Sequence, residues 1–115
     1  GTPLLIHVWA SWCPFCREAL EHLTVLREEF SGRIAAVAIN RAESREVAAH
    51  FAALSASATG TVFLLDSDDA YYRAISGFAM PETLFVDKDG DIRFHKRGPM
   101  KNEELRRRIE DLLER

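Results

Sequence analysis

The 115-residue chain contains only two cysteines, four prolines and six glycines. Two cysteines cannot build a disulfide framework, so no cystine scaffold stands in for a core. No apolar run comes near the ~18–20 residues needed to cross a bilayer. Positive charge is not in excess either. The formal net charge is −3 and the sequence pI about 5.8, which argues against nucleic acid or an anionic membrane surface as partner. No basic segment precedes the first apolar run and no cleavage pattern follows it, so no signal peptide is expected and the chain reads as a trimmed domain. Internal repeats and low-complexity segments are missing as well. What is left is the make-up of a globular protein: 47% hydrophobic, 29% charged, and a length that suits a single domain over residues 1–115.

The apolar patterning alternates between two periods. Leu4–Trp9 is a short run with β-branched and aromatic residues and predicts a buried strand. Pro14 suits the first turn of a helix, where its missing N–H costs little. Ala19, Leu23, Leu26 and Phe30 then fall at helical spacing, and Ser31-Gly32 ends the helix with Gly32 as the left-handed residue. Ile34–Ile39 predicts a second strand. A second helix presents Val47, Phe51 and Leu54, and Ser55–Gly60 predicts a loop. Thr61–Leu65 is a third strand. Ser67-Asp68-Asp69 predicts a capped short helix that runs to Ser76 and closes at Gly77. Thr83–Val86 and Asp91–Phe94 flank Lys88-Asp89-Gly90 as a hairpin. Asn102 is the expected cap of a last helix carrying Leu105, Ile109, Leu112 and Leu113. The order β-α-β-α-β-α-β-β-α predicts an α/β fold: a parallel sheet covered by helices on both faces, with the hairpin as an antiparallel edge.

Chemistry concentrates at Trp9-Ala10-Ser11-Trp12-Cys13-Pro14-Phe15-Cys16-Arg17, where the first strand meets the first helix. Two cysteines two residues apart at such a junction form a redox arrangement. The first sits where unpaired N–H groups and the helix dipole favour a thiolate, and the second lies one turn on, within bridging reach. Cys13 is therefore the expected nucleophile and Cys16 the resolving thiol. Pro14 and Phe15 shape the surroundings of the Cys13 sulfur and add no positive charge, which points away from a very strong oxidant. The alternative, half of a zinc site, lacks ligands: His7, His22, His50 and His95 show no paired spacing with the cysteines. No metal and no cofactor is expected. Asp87-Lys88-Asp89-Gly90-Asp91 reads as a turn and not a calcium loop, because its glycine comes too early and position twelve is Gly98. Arg106-Arg107-Arg108, on a helix rich in acids, reads as a solvated face.

The stretch Trp9–Cys16 resembles the active-site motif of the thioredoxin superfamily. Met80-Pro81-Glu82-Thr83-Leu84-Phe85-Val86-Asp87, with Gly90, resembles the cis-proline segment of its TlpA-like branch, and the Pro-Glu-Thr wording is similar to the CcmG/DsbE-type members. The resemblance implies a thioredoxin-like fold: a central mixed β-sheet flanked by helices, with an extra helix and strand at about Ser44–Leu65. It implies a thiol–disulfide oxidoreductase that reduces protein disulfides through a mixed disulfide, as in cytochrome c maturation. Alternatives are a disulfide oxidase or isomerase, and a non-catalytic binding module that senses redox state. The partners implied are protein disulfide substrates and a membrane or soluble thiol electron donor, with the protein a monomer. The location implied is periplasmic or otherwise extracytoplasmic, with an anchor as an option for a longer chain. Pro81 would be the cis proline facing the disulfide. The Met80 backbone beside it would pair with an extended substrate. Trp12, Pro14, Phe15 and Met80 would contact the partner, whereas Phe78 is expected in the core. His7 stands where thioredoxins carry a buried acid. Strand alternation aims it at the active-site helix, as a candidate for exchanging a proton with Cys16. Glu82 is the second candidate, an acid expected to raise the thiol pKa values and to accept the Cys16 proton.

Overall fold

Short apolar runs set the inner strands of the sheet, and the helices supply stripes that cover it. The computed structural model describes residues 1–30, 32–54 and 61–114. Its elements are β1 (Leu4–Trp9), α1 (Pro14–Glu29), β2 (Ala35–Arg41), α2 (Arg45–Leu54), β3 (Val62–Asp66), α3 (Ala70–Ala74), β4 (Glu82–Val86), β5 (Ile92–Arg97) and α4 (Asn102–Leu113). The expected loop Ser55–Gly60 and the residue Ser31 lie outside the described residues.

The five strands form one mixed sheet in the order β3-β2-β1-β4-β5. β1 lies at its centre, parallel to β2 and antiparallel to β4. The antiparallel part is therefore not confined to an edge, as the element order suggested. The connection through α3 returns the chain so that β4 enters beside β1, and the edges of the sheet are β3 and β5. The register pairs Leu5 with Phe85, His7 with Thr83 and Val8 with Glu82.

Because side chains alternate along each strand, this register sorts residues by face. Leu5, His7 and Trp9 point to one face with Ala36, Ala38, Thr83 and Phe85. That face carries the main core, in which Leu23, Leu26 and Phe30 of the α1 region meet Leu105, Ile109 and Leu112 of α4. Toward the C-terminal end of β1, Trp9 packs with Cys13, Cys16, Leu20, Ala38 and Ala48. Leu20 is thus buried in the α1 stripe where Ala19 was expected, and Ala48 replaces Val47 as the buried residue of α2. The opposite face carries Val8, Ile39, Leu84 and Glu82. There the five-residue α3 places Tyr72 under the Arg41 guanidinium, 3.8 Å from its ring centroid.

Three local signals resolve differently from the sequence pattern. The N–H groups of Tyr71 and Tyr72 donate to the Asp66 carboxylate at the end of β3 and the Ala70 N–H donates to Asp68 Oδ1 (3.2 Å), so of the expected Ser67-Asp68-Asp69 start Asp68 contributes to the cap. Gly77 closes α3 as expected, its N–H donating to the Tyr72 carbonyl at 2.9 Å, while the left-handed residue before it is Ser76 (φ 57°). Gly77 is required for another reason: a Cβ there would lie 2.5 Å from the Tyr72 ring. Asn102 is the first residue of α4, and the preceding Lys101 occupies the cap without a side-chain hydrogen bond. Gly32 does take the expected positive φ, 74°. The Asp87–Asp91 segment is the expected turn, closed by Asp89 and Asp91 N–H groups donating to Asp87 Oδ1.

Candidate redox site

β1, the central strand, ends at Trp9, and a turn closed by Cys13 N–H to the Ala10 carbonyl (3.2 Å) leads into α1. Cys13 is the N-cap of that helix, in extended conformation (φ −101°, ψ 104°), with Pro14 in the first turn and no acid there. Its Sγ accepts the Cys16 N–H at 3.2 Å. The two cysteines are joined as a disulfide with Cα atoms 5.3 Å apart. Cys16 is fully buried and Cys13 is 4% exposed. A sulfur at the N-cap, facing backbone N–H donors and the positive end of a sixteen-residue helix, is placed to carry negative charge.

Pro81 stands across from this corner. Since Val8 pairs with Glu82, Pro81 enters β4 at the end of the sheet where β1 hands over to the Cys13 turn. The Met80–Pro81 bond is cis. Met80 packs against the cluster that holds Cys13 and Cys16. Trp12 and Phe15 flank the cysteines in solvent, 63% and 56% exposed. Phe78 is 76% exposed, so it is not a core residue. Its backbone is bound inward and its ring turned outward, over the Arg97 guanidinium at 5.1 Å.

His7 points at α1, as alternation predicts, but meets the backbone of Cys16. Its Nε2 lies 3.1 Å from the Cys16 carbonyl oxygen. A carbonyl only accepts, so Nε2 carries the hydrogen and Nδ1 faces the Thr83 hydroxyl at 3.5 Å. Burial lowers the imidazole pKa from 6.5 to about 4, against the opposing pull of the Cys16 carbonyl, and the ring is neutral at neutral pH. The nitrogen that faces α1 is a committed donor and holds no lone pair for a thiol proton.

Glu82 lies on the other face of the sheet, one residue out of phase with His7 and Pro81. Its side chain is fully buried. Oε2 accepts the N–H groups of Phe78 (2.7 Å) and Ala79 (2.9 Å), and Oε1 lies 2.6 Å from His95 Nε2. Burial pushes the carboxyl pKa up, but the Ala79 and Phe78 N–H groups and His95 outweigh it, and the pKa stays below the ordinary glutamate value. To take the Cys16 proton, as expected of it, Glu82 would have to act from the opposite face of the sheet. The carboxylate faces away from the dithiol and its oxygens are already engaged.

Sequence reading missed a second carboxylate at the corner. Glu43 accepts Ser11 N–H at 2.8 Å, Ser11 Oγ–H at 2.5 Å and Asn40 Nδ2–H at 2.8 Å. It ties the segment before Cys13 to the end of β2. Burial pushes its pKa up, and the Ser11 and Asn40 donors more than compensate, leaving it lowered. Nothing in the periodicity marks Glu43, because its contact spans 32 positions. Among the described residues no group of three or more His, Cys, Asp or Glu side chains is arranged to hold a metal. Among them, too, no helix is long and apolar enough to cross a membrane.

The chain is similar to known proteins. The thiol:disulfide interchange protein DsbE of Tatumella citrea is 30% identical over 115 residues, covering 97% of this chain and 58% of that protein. The chain thus spans little more than half of that relative. Among solved structures, MTB dsbF, in mixed oxidised and reduced forms, superposes with a TM-score of 0.87 at 23% identity, covering 97% of this chain and 81% of the other. A thioredoxin-like protein in its oxidised form superposes with a TM-score of 0.81 at 24% identity, covering 98% and 78%. The fold is thioredoxin-like. Residues 1–113 match the Redoxin family, and the chain belongs to that family.

Proposed function

We propose that this chain is the catalytic domain of a thiol–disulfide oxidoreductase that reduces protein disulfides outside the cytoplasm. The observation that carries this reading is Cys13 at the N-cap of α1, bonded to a fully buried Cys16. In the reduced protein the Cys13 thiolate attacks one sulfur of a client disulfide. A Cys13–client mixed disulfide forms and the other client sulfur leaves as thiolate. Cys16 then loses its proton to solvent or to the departing thiolate and attacks Cys13 Sγ. The Cys13–Cys16 disulfide forms and the second client thiolate departs. Two electrons pass to the client, and a thiol donor, membrane-bound or soluble, restores the dithiol.

The remaining residues divide the work. Met80, beside Pro81, offers its backbone to an extended client segment. Trp12, Pro14 and Phe15 give it an apolar rim. His7 is a neutral brace that holds the Cys16 carbonyl, and so the first turn of α1, in place. Glu82 holds the loop before Pro81 from the far face. With no cation in the Pro14-Phe15 pair, the potential belongs nearer thioredoxin's about −270 mV than a strong oxidant's about −120 mV.

Turnover of insulin by dithiothreitol tests this reading. The wild-type chain is expected to accelerate it. Cys13→Ser is expected to abolish the acceleration, and Cys16→Ser to accumulate a mixed disulfide with insulin. Undiminished turnover by Cys13→Ser would show that the pair is not the catalyst.

A further inference from the structure

The segment that would receive a client strand is held in place by residues that never touch the disulfide. Glu82 takes the Phe78 and Ala79 N–H groups on one carboxylate oxygen. His95 Nε2 occupies the other, and its own side chain is half-buried on β5. Arg97, two positions further along β5, donates through Nη2 to the carbonyls of Ile75 (3.1 Å) and Ser76 (3.3 Å). Its Nε stands 3.9 Å from Glu82 Oε1. Tyr72 closes the frame by donating its hydroxyl to the Ala79 carbonyl at 2.6 Å. The register that pairs Glu82 with Arg97 and Leu84 with His95 puts all three ionisable side chains on the face away from Cys13 and Cys16.

We infer that His95 and Arg97 are positioning residues that set how a polypeptide client docks beside Pro81 and thereby favour polypeptide disulfides over small ones. The inference rests on the oxidoreductase reading above. The physical argument is one of hydrogen-bond satisfaction. A buried carboxylate does not keep an oxygen unpaired at low cost. Without His95, Oε1 has only the more distant Arg97 Nε. The carboxylate then turns toward the guanidinium, and the Phe78 and Ala79 N–H groups lose their acceptor. Without Arg97, the Ile75 and Ser76 carbonyls are released. Either change loosens the backbone that leads into Met80 and Pro81. A client strand needs that backbone fixed, because strand addition draws its affinity from preformed main-chain donors and acceptors. A small disulfide reaches the Cys13 sulfur without it.

The experiment compares kcat/KM for insulin and for oxidised glutathione, in wild type, His95→Ala, His95→Gln and Arg97→Gln, with far-ultraviolet circular dichroism on each. The ratio of insulin to glutathione-disulfide reduction is expected to fall about tenfold in His95→Ala and in Arg97→Gln, with the loss in KM for insulin. His95→Gln, which keeps an N–H donor for Glu82, is expected to stay within about twofold of wild type. A ratio unmoved in both His95→Ala and Arg97→Gln, in folded protein, overturns the inference and leaves the oxidoreductase reading standing. A loss shared equally by both disulfides also overturns it, since that assigns the two residues to the chemistry of the thiols. Should the Ala variant not fold, the Gln substitution at Arg97, whose side chain is partly in solvent, decides. A wild-type protein that reduces neither disulfide overturns the oxidoreductase reading and this inference with it.

Discussion

At His7, removal from water and a hydrogen bond to the Cys16 carbonyl act in opposite directions, and removal from water wins. The folded imidazole protonates near pH 4, the unfolded one near 6.5. Between those values the unfolded chain binds more protons, so stability rises with pH in that window. The contribution is complete above about pH 6.5 and is lost as the pH falls to about 4, a change on the order of 3 kcal/mol. Urea titrations of wild type and His7→Asn at a series of pH values should show the slope between pH 6.5 and 4 flattened in the variant. A slope shared by both proteins would remove His7 as its source. The lowered carboxyl pKa values of Glu82 and Asp69 act in a lower window. Their stabilisation is present above the ordinary carboxylate pKa and is lost as pH falls through their folded values, so the two classes separate in one titration. That His7 faces α1 was legible from alternation alone. Which of its nitrogens is engaged, and that Glu82 faces the opposite way, depends on the pairing of Val8 with Glu82. Register between strands so far apart in the chain leaves no mark in either segment taken singly.

Scale changes the lesson at α3 and the chain that follows it. Glycine at the end of a helix usually supplies a left-handed residue, yet here Ser76 takes that conformation and Gly77 makes room for a ring. The two positions therefore respond oppositely. Gly77→Ala places a methyl against Tyr72 and is expected to destabilise the fold by about 1–3 kcal/mol. Ser76→Gly relieves a positive φ and is expected to be neutral or to add up to about 1 kcal/mol. Denaturant midpoints of the two variants check both signs, and a harmless Gly77→Ala would mean that the Tyr72 ring has room to move. The same element shows why its cap was legible only in part: Asp68, in the expected stretch, takes the Ala70 N–H. Asp66 reaches the N–H groups of Tyr71 and Tyr72 from the last position of β3. A cap five and six positions upstream lies outside the window in which capping residues are normally sought. Long periodic elements such as α1 were legible almost to their ends, because a stripe of Leu23, Leu26 and Phe30 has only one face to bury.

For the molecule as a whole, the main core lies on one face of the sheet, between β1, β2, β4, α1 and α4. Ile109 is fully buried there, remote in the fold from the Trp9 cluster that holds the cysteines. Ile109→Ala is expected to cost about 2–5 kcal/mol of stability. The rate at which iodoacetamide alkylates Cys13 in the still-folded dithiol form should stay at the wild-type value, and a changed rate would mean that core and corner are coupled. The fold was readable from the motif around Cys13 together with the distant Met80-Pro81-Glu82 stretch, because their chemistry makes sense only if they meet. The antiparallel entry of β4 at the sheet centre was not readable, since element order alone does not say which neighbour a returning strand will take. That entry has a consequence for how the protein comes into being. Cys13 and Cys16 share one helical turn and come together as soon as α1 forms, whereas Pro81 reaches them only when β4 closes a long loop onto β1. On the function proposed above, a chain still being synthesised would own its two sulfurs before it owns the segment that receives a client, and selectivity would be acquired with the last strands of the sheet.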